Sequence, residues 1–173
     1  MNNNTYVHKY IKSLISLDDV CLDMTLGNGN DTLFLSKLAK KVYGFDIQEQ
    51  AIINSKEKLK NVNNVELILD NHINIDKYIK DKVKLVIFNL GYLPNSDNTI
   101  ITKADETLIA FKKAYELLED NGYLIISFYV GHIGGKQEYY LLDRYINDNK
   151  LLVLEKYRQD KLDSPITYII KKY

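Results

Sequence analysis

A chain of 173 residues, 46% of them hydrophobic, can bury one core, and a single domain over residues 1–173 is expected. Its 23 basic and 23 acidic side chains cancel, which excludes a globally basic nucleic-acid surface and leaves any RNA contact to a local patch. The lone Cys21 excludes an internal disulfide, and no apolar run reaches membrane-spanning length. The Met-Asn-Asn-Asn start lacks the basic-then-apolar order of a signal peptide, so a cytoplasmic location is expected. One cysteine and three scattered histidines give no metal-ligand spacing, so no metal is expected.

Short apolar runs alternate with longer amphipathic segments, and no repeat or Pro/Ser-rich linker divides them. A helix is predicted over residues 4–15 and a first strand over 20–24, with Cys21 in the core. Leu33, Leu35, Leu38 and Ala39 then share one face of a helix capped by Asp31 or Thr32. Residues 41–46 are the second strand, 48–60 the second helix and 65–69 the third strand. The fourth strand, 84–88, has the apolar centre Leu-Val-Ile-Phe, as a strand buried on both faces requires. A long helix over 102–118 is stopped by Glu-Asp-Asn-Gly, with Gly122 as its C-cap. A strand at 123–129, a helix at 136–147 and a hairpin of 151–157 with 167–172 complete the chain. The pattern predicts an α/β fold: a mostly parallel seven-stranded sheet, helices on both faces and an antiparallel C-terminal hairpin.

The segment Asp23-Met24-Thr25-Leu26-Gly27-Asn28-Gly29-Asn30-Asp31-Thr32 joins the first strand to the first sheet helix. Glycine permits φ > 0 and lets a ligand approach the backbone. Thr32 stands where a dinucleotide fingerprint needs its third glycine, and there is no Gly-Lys-Ser/Thr as in a P-loop. The flanking acids repel a pyrophosphate and suit a cationic ligand. This segment resembles motif I of class I S-adenosylmethionine (SAM) methyltransferases. Asp46, about 20 residues after the glycine loop, is placed to accept both ribose hydroxyls, or else to cap the next helix. Ile47 then lies against the adenine face and Gln48 at its edge.

Asp70-Asn71-His72 ends the third strand, where the Asn71 amide or the Asp70 carboxylate can read an adenine amine and His72 either lines the pocket or is a structural or exposed histidine. Asn89-Leu90-Gly91-Tyr92-Leu93-Pro94 ends the fourth strand, at the sheet's carboxyl edge. Amino-methyltransferases commonly carry Asp/Asn-Pro-Pro-Tyr/Phe there, and Asn89 and Tyr92 match that pattern while Leu90-Gly91 replaces the prolines. An ordinary glycine turn is the alternative. Gly131-His132-Ile133-Gly134-Gly135 suggests a flexible wall around substrate, with His132 able to contact phosphate or take a proton; a structural turn is the alternative. Lys103, Lys112, Lys113, Lys136, Arg144 and Arg158 are candidates for a basic rim.

Together, the motif I segment, Gly44-Phe45-Asp46-Ile47-Gln48, Phe88 to Pro94 and Tyr129 to Gly135 resemble the small bacterial family labelled "putative rRNA methylase". The resemblance implies a SAM-dependent methyltransferase that N-methylates the 5-aminomethyl group of (2-thio)uridine at tRNA wobble position 34. Another RNA, such as rRNA, or a small amine is the alternative substrate, and a non-catalytic SAM-binding module is a further one. It also implies the roles of the residues. Asp23, Thr25, Gly27, Asn28, Gly29, Asp31, Thr32, Asp46, Ile47, Gln48, Asn71, His72 and Asn89 hold the cofactor. Asn89, Tyr92 and His132 serve catalysis. The expected partner is the tRNA anticodon stem-loop, with the protein a monomer or homodimer and no membrane involved. The chain departs from the family at Asn71, where Ser is usual, at Asn95-Ser96, where a Gly pair is usual, and at Asp163-Ser164-Pro165.

Overall fold

The computed structural model describes residues 2–91, 103–131, 134–160 and 164–173. Seven strands form one sheet: β1 (Val20–Asp23), β2 (Lys41–Asp46), β3 (Val65–Leu69), β4 (Val83–Leu90), β5 (Leu118–Phe128), β6 (Leu152–Arg158) and β7 (Ile166–Lys171). Their spatial order is β3-β2-β1-β4-β5-β7-β6. The pairs among β1 to β5 are parallel, while β7 runs antiparallel to both β5 and β6. The strand order therefore reverses between β1 and β4, and in open α/β sheets a reversal opens a crevice at the carboxyl ends. Helices α1 (Asn3–Ile11), α2 (Asn30–Ser36), α3 (Glu49–Lys58), α4 (Ile75–Tyr78), α5 (Ala104–Leu117) and α6 (Gly135–Asp148) surround the sheet, with a 3-10 turn at His72–Asn74.

Strand alternation divides the core into two layers. On β4, Val86, Phe88 and Leu90 pack with Ala110 and Phe111 of α5 and Leu142 and Ile146 of α6. Leu85 and Ile87 point the other way, against Val7 and Ile11 of α1 and Leu35 of α2. A strand covered on both faces must be apolar at every buried position, which is the pattern read from its sequence. Full burial of a side chain such as Phe111 or Ile11 contributes about 1.5–3 kcal/mol.

Several observed elements depart from expectation; α2, for one, ends at Ser36, before Leu38 and Ala39. α1 ends at Ile11, because Ser13 N and Leu14 N bond Tyr10 O and Ile11 O at 3.0 and 2.9 Å, and the Ser13 hydroxyl takes Tyr10 O at 2.7 Å. Leu14 and Ile15 still pack against the core, so their periodicity extended the predicted helix. The N-cap of α2 is Gly29 at φ 71°, not Asp31 or Thr32, whose side chains turn to partners in the first turn. α5 passes directly into β5, and the left-handed residue at that corner is Asn121 (φ 62°) in place of a Gly122 C-cap. Gly122 is instead required by close approach, since a Cβ there would lie 2.9 Å from the Glu119 carbonyl oxygen. The 3-10 turn and α4 are too short to show periodicity; Asn71 Oδ1 caps that turn by accepting from Ile73 N at 3.0 Å.

α1 is tied to the carboxyl end of the sheet by a buried polar ring. Asn3 Nδ2 donates to Ser127 Oγ at 3.1 Å, and Thr167 Oγ1 donates to Asn3 Oδ1 at 2.7 Å. Ser127 and Thr167 face each other across the β5–β7 pair at 2.7 Å. Each of the three side chains thus gives one proton and receives one. Asn3→Ala leaves the buried Thr167 hydroxyl without its acceptor. The expected cost is about 1–3 kcal/mol, read as a lower urea midpoint at unchanged slope.

Candidate active site

The loop after β1 is built around the Asp23 carboxylate, which is fully buried. Its Oδ2 accepts from Thr32 Oγ1 at 2.7 Å and its Oδ1 from Thr25 N at 3.2 Å, so both ends of the loop are fastened to the end of β1. Between them the backbone turns through Gly27 (φ 51°) and Gly29 (φ 71°). Gly29 is needed twice: its φ disfavours an L side chain, and a Cβ would lie 2.7 Å from Ser55 Oγ. The Ser55 hydroxyl of α3 donates to the Gly27 carbonyl at 3.1 Å, and Asn54 Nδ2 to Asn28 Oδ1 at 3.1 Å, so α3 braces the loop from outside.

At the end of β2, Asp46 joins this loop. Its Oδ2 accepts from Gly27 N and its Oδ1 from Gln48 N, both at 2.9 Å. Gln48, not Asp46, is the N-cap of α3. A carboxylate has more acceptor positions than these contacts fill, so Asp46 can still accept from a ligand. Burial raises its pKa, and the Gln48 and Gly27 backbone N–H groups oppose that rise. Ile47 next to it is 57% exposed, an apolar wall beside a polar cleft.

Past β3, Asp70 is consumed by its own turn, accepting from Asn71 N, Asn74 Nδ2 and Tyr78 OH. Asn71 Nδ2 donates to Glu106 Oε2 of α5 at 2.8 Å. The half-buried His72 lies edge-on to Phe88, with Nδ1 3.3 Å from the Met24 carbonyl oxygen. Its burial pushes its pKa down, favouring the neutral ring.

At the end of β4, Asn89 N donates to Thr25 Oγ1 at 2.7 Å, and Asn89 Nδ2 donates to Asp31 Oδ2 at 2.6 Å. Asp31 Oδ1 lies 2.5 Å from His8 Nε2 on α1. Tyr129, the residue after β5, has its pKa raised by burial and then by the nearby Asp31 charge. Two linked groups result: Asp23, Thr25, Asp31, Thr32 and Asn89 in one, Gly27, Asp46 and Gln48 in the other. Tyr92 and His132 lie outside the described residues. Gly134, from the same glycine segment as His132, is the left-handed N-cap of α6 (φ 84°).

Sequence reading missed His8, Ser55 and Glu106. Each sits on a helix whose nearness to the loop is set by packing, so no local motif marks it. Tyr129 enters that reading only as the first residue of the glycine segment, with no role. Four of the six rim candidates are engaged locally. Lys103 pairs with Glu106 at 3.4 Å, Lys113 with Asp76 at 2.6 Å and Arg144 with Asp148 at 3.4 Å, while Lys112 lies over the Tyr145 ring.

The cleft thus offers the Asp31 and Asp46 carboxylates, two left-handed glycines and an exposed apolar side chain at a strand-order reversal, with the buried Asp23 behind the loop. These groups fit a nucleoside carrying positive charge. The strand order with its glycine loop after β1 defines a class I methyltransferase fold. Residues 42–170 match the family model described as "Putative rRNA methylase", and the chain belongs to that family. It is 38% identical to a Streptococcus mutans protein described as "a putative methyltransferase" and crystallised in complex with SAH, at a TM-score of 0.90 and with 100% of this chain and 99% of that one covered. A structure from Clostridium thermocellum described as a "putative rRNA-methylase" is 39% identical at a TM-score of 0.90, covering 100% and 98%. A chloroplastic tRNA (mnm(5)s(2)U34)-methyltransferase of Arabidopsis thaliana is 34% identical over 158 residues, 80% of this chain. The chain spans 56% of that plant protein's length. Among the described residues no helix is long and apolar enough to cross a membrane, and no group of three or more His, Cys, Asp or Glu could hold a metal ion.

Burial, then the Asp31 charge, push the Asp23 pKa up from 3.8 to about 7. The native state therefore keeps a proton that the unfolded chain releases. Asp23's contribution to stability is full below pH 3.8 and falls as pH rises to about 7. Relative to Asp23→Asn, the parent protein should lose at least about 1 kcal/mol across that window, since one pKa unit is ~1.4 kcal/mol. Urea unfolding of both proteins at the two ends of the window checks it, and a constant difference would count against the retained proton.

Proposed function

We propose that this SAM-dependent methyltransferase N-methylates the 5-aminomethyl group of (2-thio)uridine at tRNA wobble position 34, giving 5-methylaminomethyl-2-thiouridine. The observation that carries the reading is Asn89. It projects from a rigid, buried strand at the strand-order reversal, with its amide nitrogen held by Asp31. A carboxylate only accepts, so the Asn89 nitrogen must face Asp31 and Oδ1 must face away. That leaves an acceptor oxygen for a substrate amine N–H.

The remaining roles follow from the groups of the cleft. Asp46 takes the ribose hydroxyls of SAM on its remaining acceptor positions, and Ile47 covers one adenine face. The acidic loop suits a cofactor that carries positive charge at sulfur and at its amino group. When bound, SAM supplies an electrophilic methyl group. Asn89 Oδ1 and a neighbouring backbone carbonyl take the N–H groups of the substrate amine and aim its lone pair at that methyl. The amine must be neutral to attack, so water or His132 removes its proton. Tyr92 stacks on the uracil ring. In-line positioning and exclusion of water supply most of the rate, because the transfer needs little acid–base help. The substrate and the soluble setting of tRNA modification agree with a cytoplasmic protein.

Asp46→Ala removes two charge-assisted hydrogen bonds, each worth about 1.5–3 kcal/mol, so SAM affinity should fall about tenfold or more. Calorimetry measures this, and unchanged affinity would remove Asp46 from the ribose. Asn89→Ala and Tyr92→Ala should bind SAM near the parental strength. In single-turnover methylation of tRNA lacking only the terminal methyl, Asn89→Ala should be about 100-fold slower, the cost of roughly 1 Å of misplacement. Loss of the Tyr92 platform removes about 1–3 kcal/mol of base stacking. Near-parental turnover by Asn89→Ala would overturn the reading. Nucleoside mass spectrometry of tRNA and rRNA from cells lacking the protein separates a wobble uridine from a ribosomal target.

A further inference from the structure

His8 belongs to α1, an element outside the βα units that build the cofactor cleft, yet its side chain reaches into them. The ring stacks flat on Phe34 of α2, with centroids 3.8 Å apart and planes inclined by 1°, which fixes its orientation. Nε2 meets Asp31 Oδ1 at 2.5 Å, and the second oxygen of the same carboxylate accepts from Asn89 Nδ2 at 2.6 Å. An ionised carboxylate donates nothing, so Nε2 must carry a proton and act as the donor. Phe34 and Asp31 are one turn apart on α2, so the stack and the hydrogen bond act on one helix face. α1 in turn is anchored by the Asn3–Ser127–Thr167 ring, which holds His8 in register with the sheet edge.

We propose that His8 is a positioning residue for methyl transfer: it holds Asp31, and Asp31 holds the Asn89 carboxamide with its oxygen turned toward the substrate amine. The inference rests on Asn89 being the amine acceptor. Without His8, Asp31 has an uncompensated oxygen and can swing toward solvent, and the Asn89 amide loses the acceptor that distinguishes its two orientations. The nucleophile is then misaimed in part of the population. Asp31 itself is a poor handle, because it lies in the first turn of α2, directly after the glycine loop. His8 is the residue through which the relay can be cut without touching the loop.

The test uses His8→Ala, His8→Gln, Asn89→Ala and the His8→Ala/Asn89→Ala double variant of the full chain. Gln restores an N–H donor toward Asp31, and both Ala and Gln are good helix formers, so α1 should persist. In side-chain amide NMR, the Asn89 carboxamide pair is identified by its disappearance in Asn89→Ala. It should shift and exchange faster in His8→Ala and stay near its parental position in His8→Gln. In single-turnover methylation of tRNA lacking the terminal methyl, His8→Ala should be about tenfold slower, with most of the rate recovered in His8→Gln. SAM affinity by calorimetry should remain within about twofold, because the lost contact positions the nucleophile and does not bind the cofactor. The double variant should be no slower than Asn89→Ala alone, the non-additivity of residues acting as a unit. The proposal is overturned by an unmoved carboxamide pair in His8→Ala, by a loss that lies entirely in SAM affinity, or by losses that multiply in the double variant. A slow Asn89→Ala beside a fast His8→Ala defeats only the role of His8. A fast Asn89→Ala defeats the amine-acceptor reading, and the inference with it.

Discussion

The hydrogen bond between the buried Asp23 carboxylate and the Thr32 hydroxyl is the contact on which the cleft depends. It joins the end of the central strand β1 to the first turn of α2, and the Thr25 amide closes the same carboxylate from the other side. With both ends fixed, the intervening residues can satisfy their geometry only by turning left-handed at Gly27 and Gly29. That turn presents Gly27 N to Asp46 and thereby registers β2 against the loop. It also sets α2 so that Asp31 faces Asn89 across the strand-order reversal. A fully buried carboxylate is costly unless hydrogen-bonded, and here the cost is met by donors that also shape the site.

The electrostatics of the cleft follow from the same placement. Asp23, Asp31 and Asp46 converge around one short loop, and burial together with mutual repulsion raises the pKa of Asp23 and burial that of Asp46. Such a cluster stores unfavourable charge that a cationic ligand relieves on binding. Burial lowers the His72 pKa at the edge of the cleft, which disfavours a positive charge there. The protein as a whole is neutral, so the site's character comes from arrangement and not from bulk composition.

α1 shows how an element with a plain sequence becomes part of this arrangement. Its first turn is buried through Asn3, and its middle presents His8 to α2. Neither residue belongs to a recognisable motif. Both gain meaning only from partners far away in the chain, on β5, β7 and α2.

The sequence by itself determined the sheet and the loop. The unbroken apolar centre of β4, the glycine pair after β1 and the acid closing β2 are local patterns. Each follows from one constraint: burial on both faces, φ > 0, or a polar residue at a strand's carboxyl end. Boundaries failed where tertiary contacts overrode local preference. Leu14 and Ile15 kept helical spacing beyond a helix that had already tightened into turns, and Asp31 and Thr32, good caps by type, were drawn to Asn89, His8 and Asp23 instead. Only the tertiary structure decided which side chains meet. His8 and Glu106 reach the cleft because helix packing brings distant segments within hydrogen-bonding range, and nothing in the residues flanking them encodes that distance.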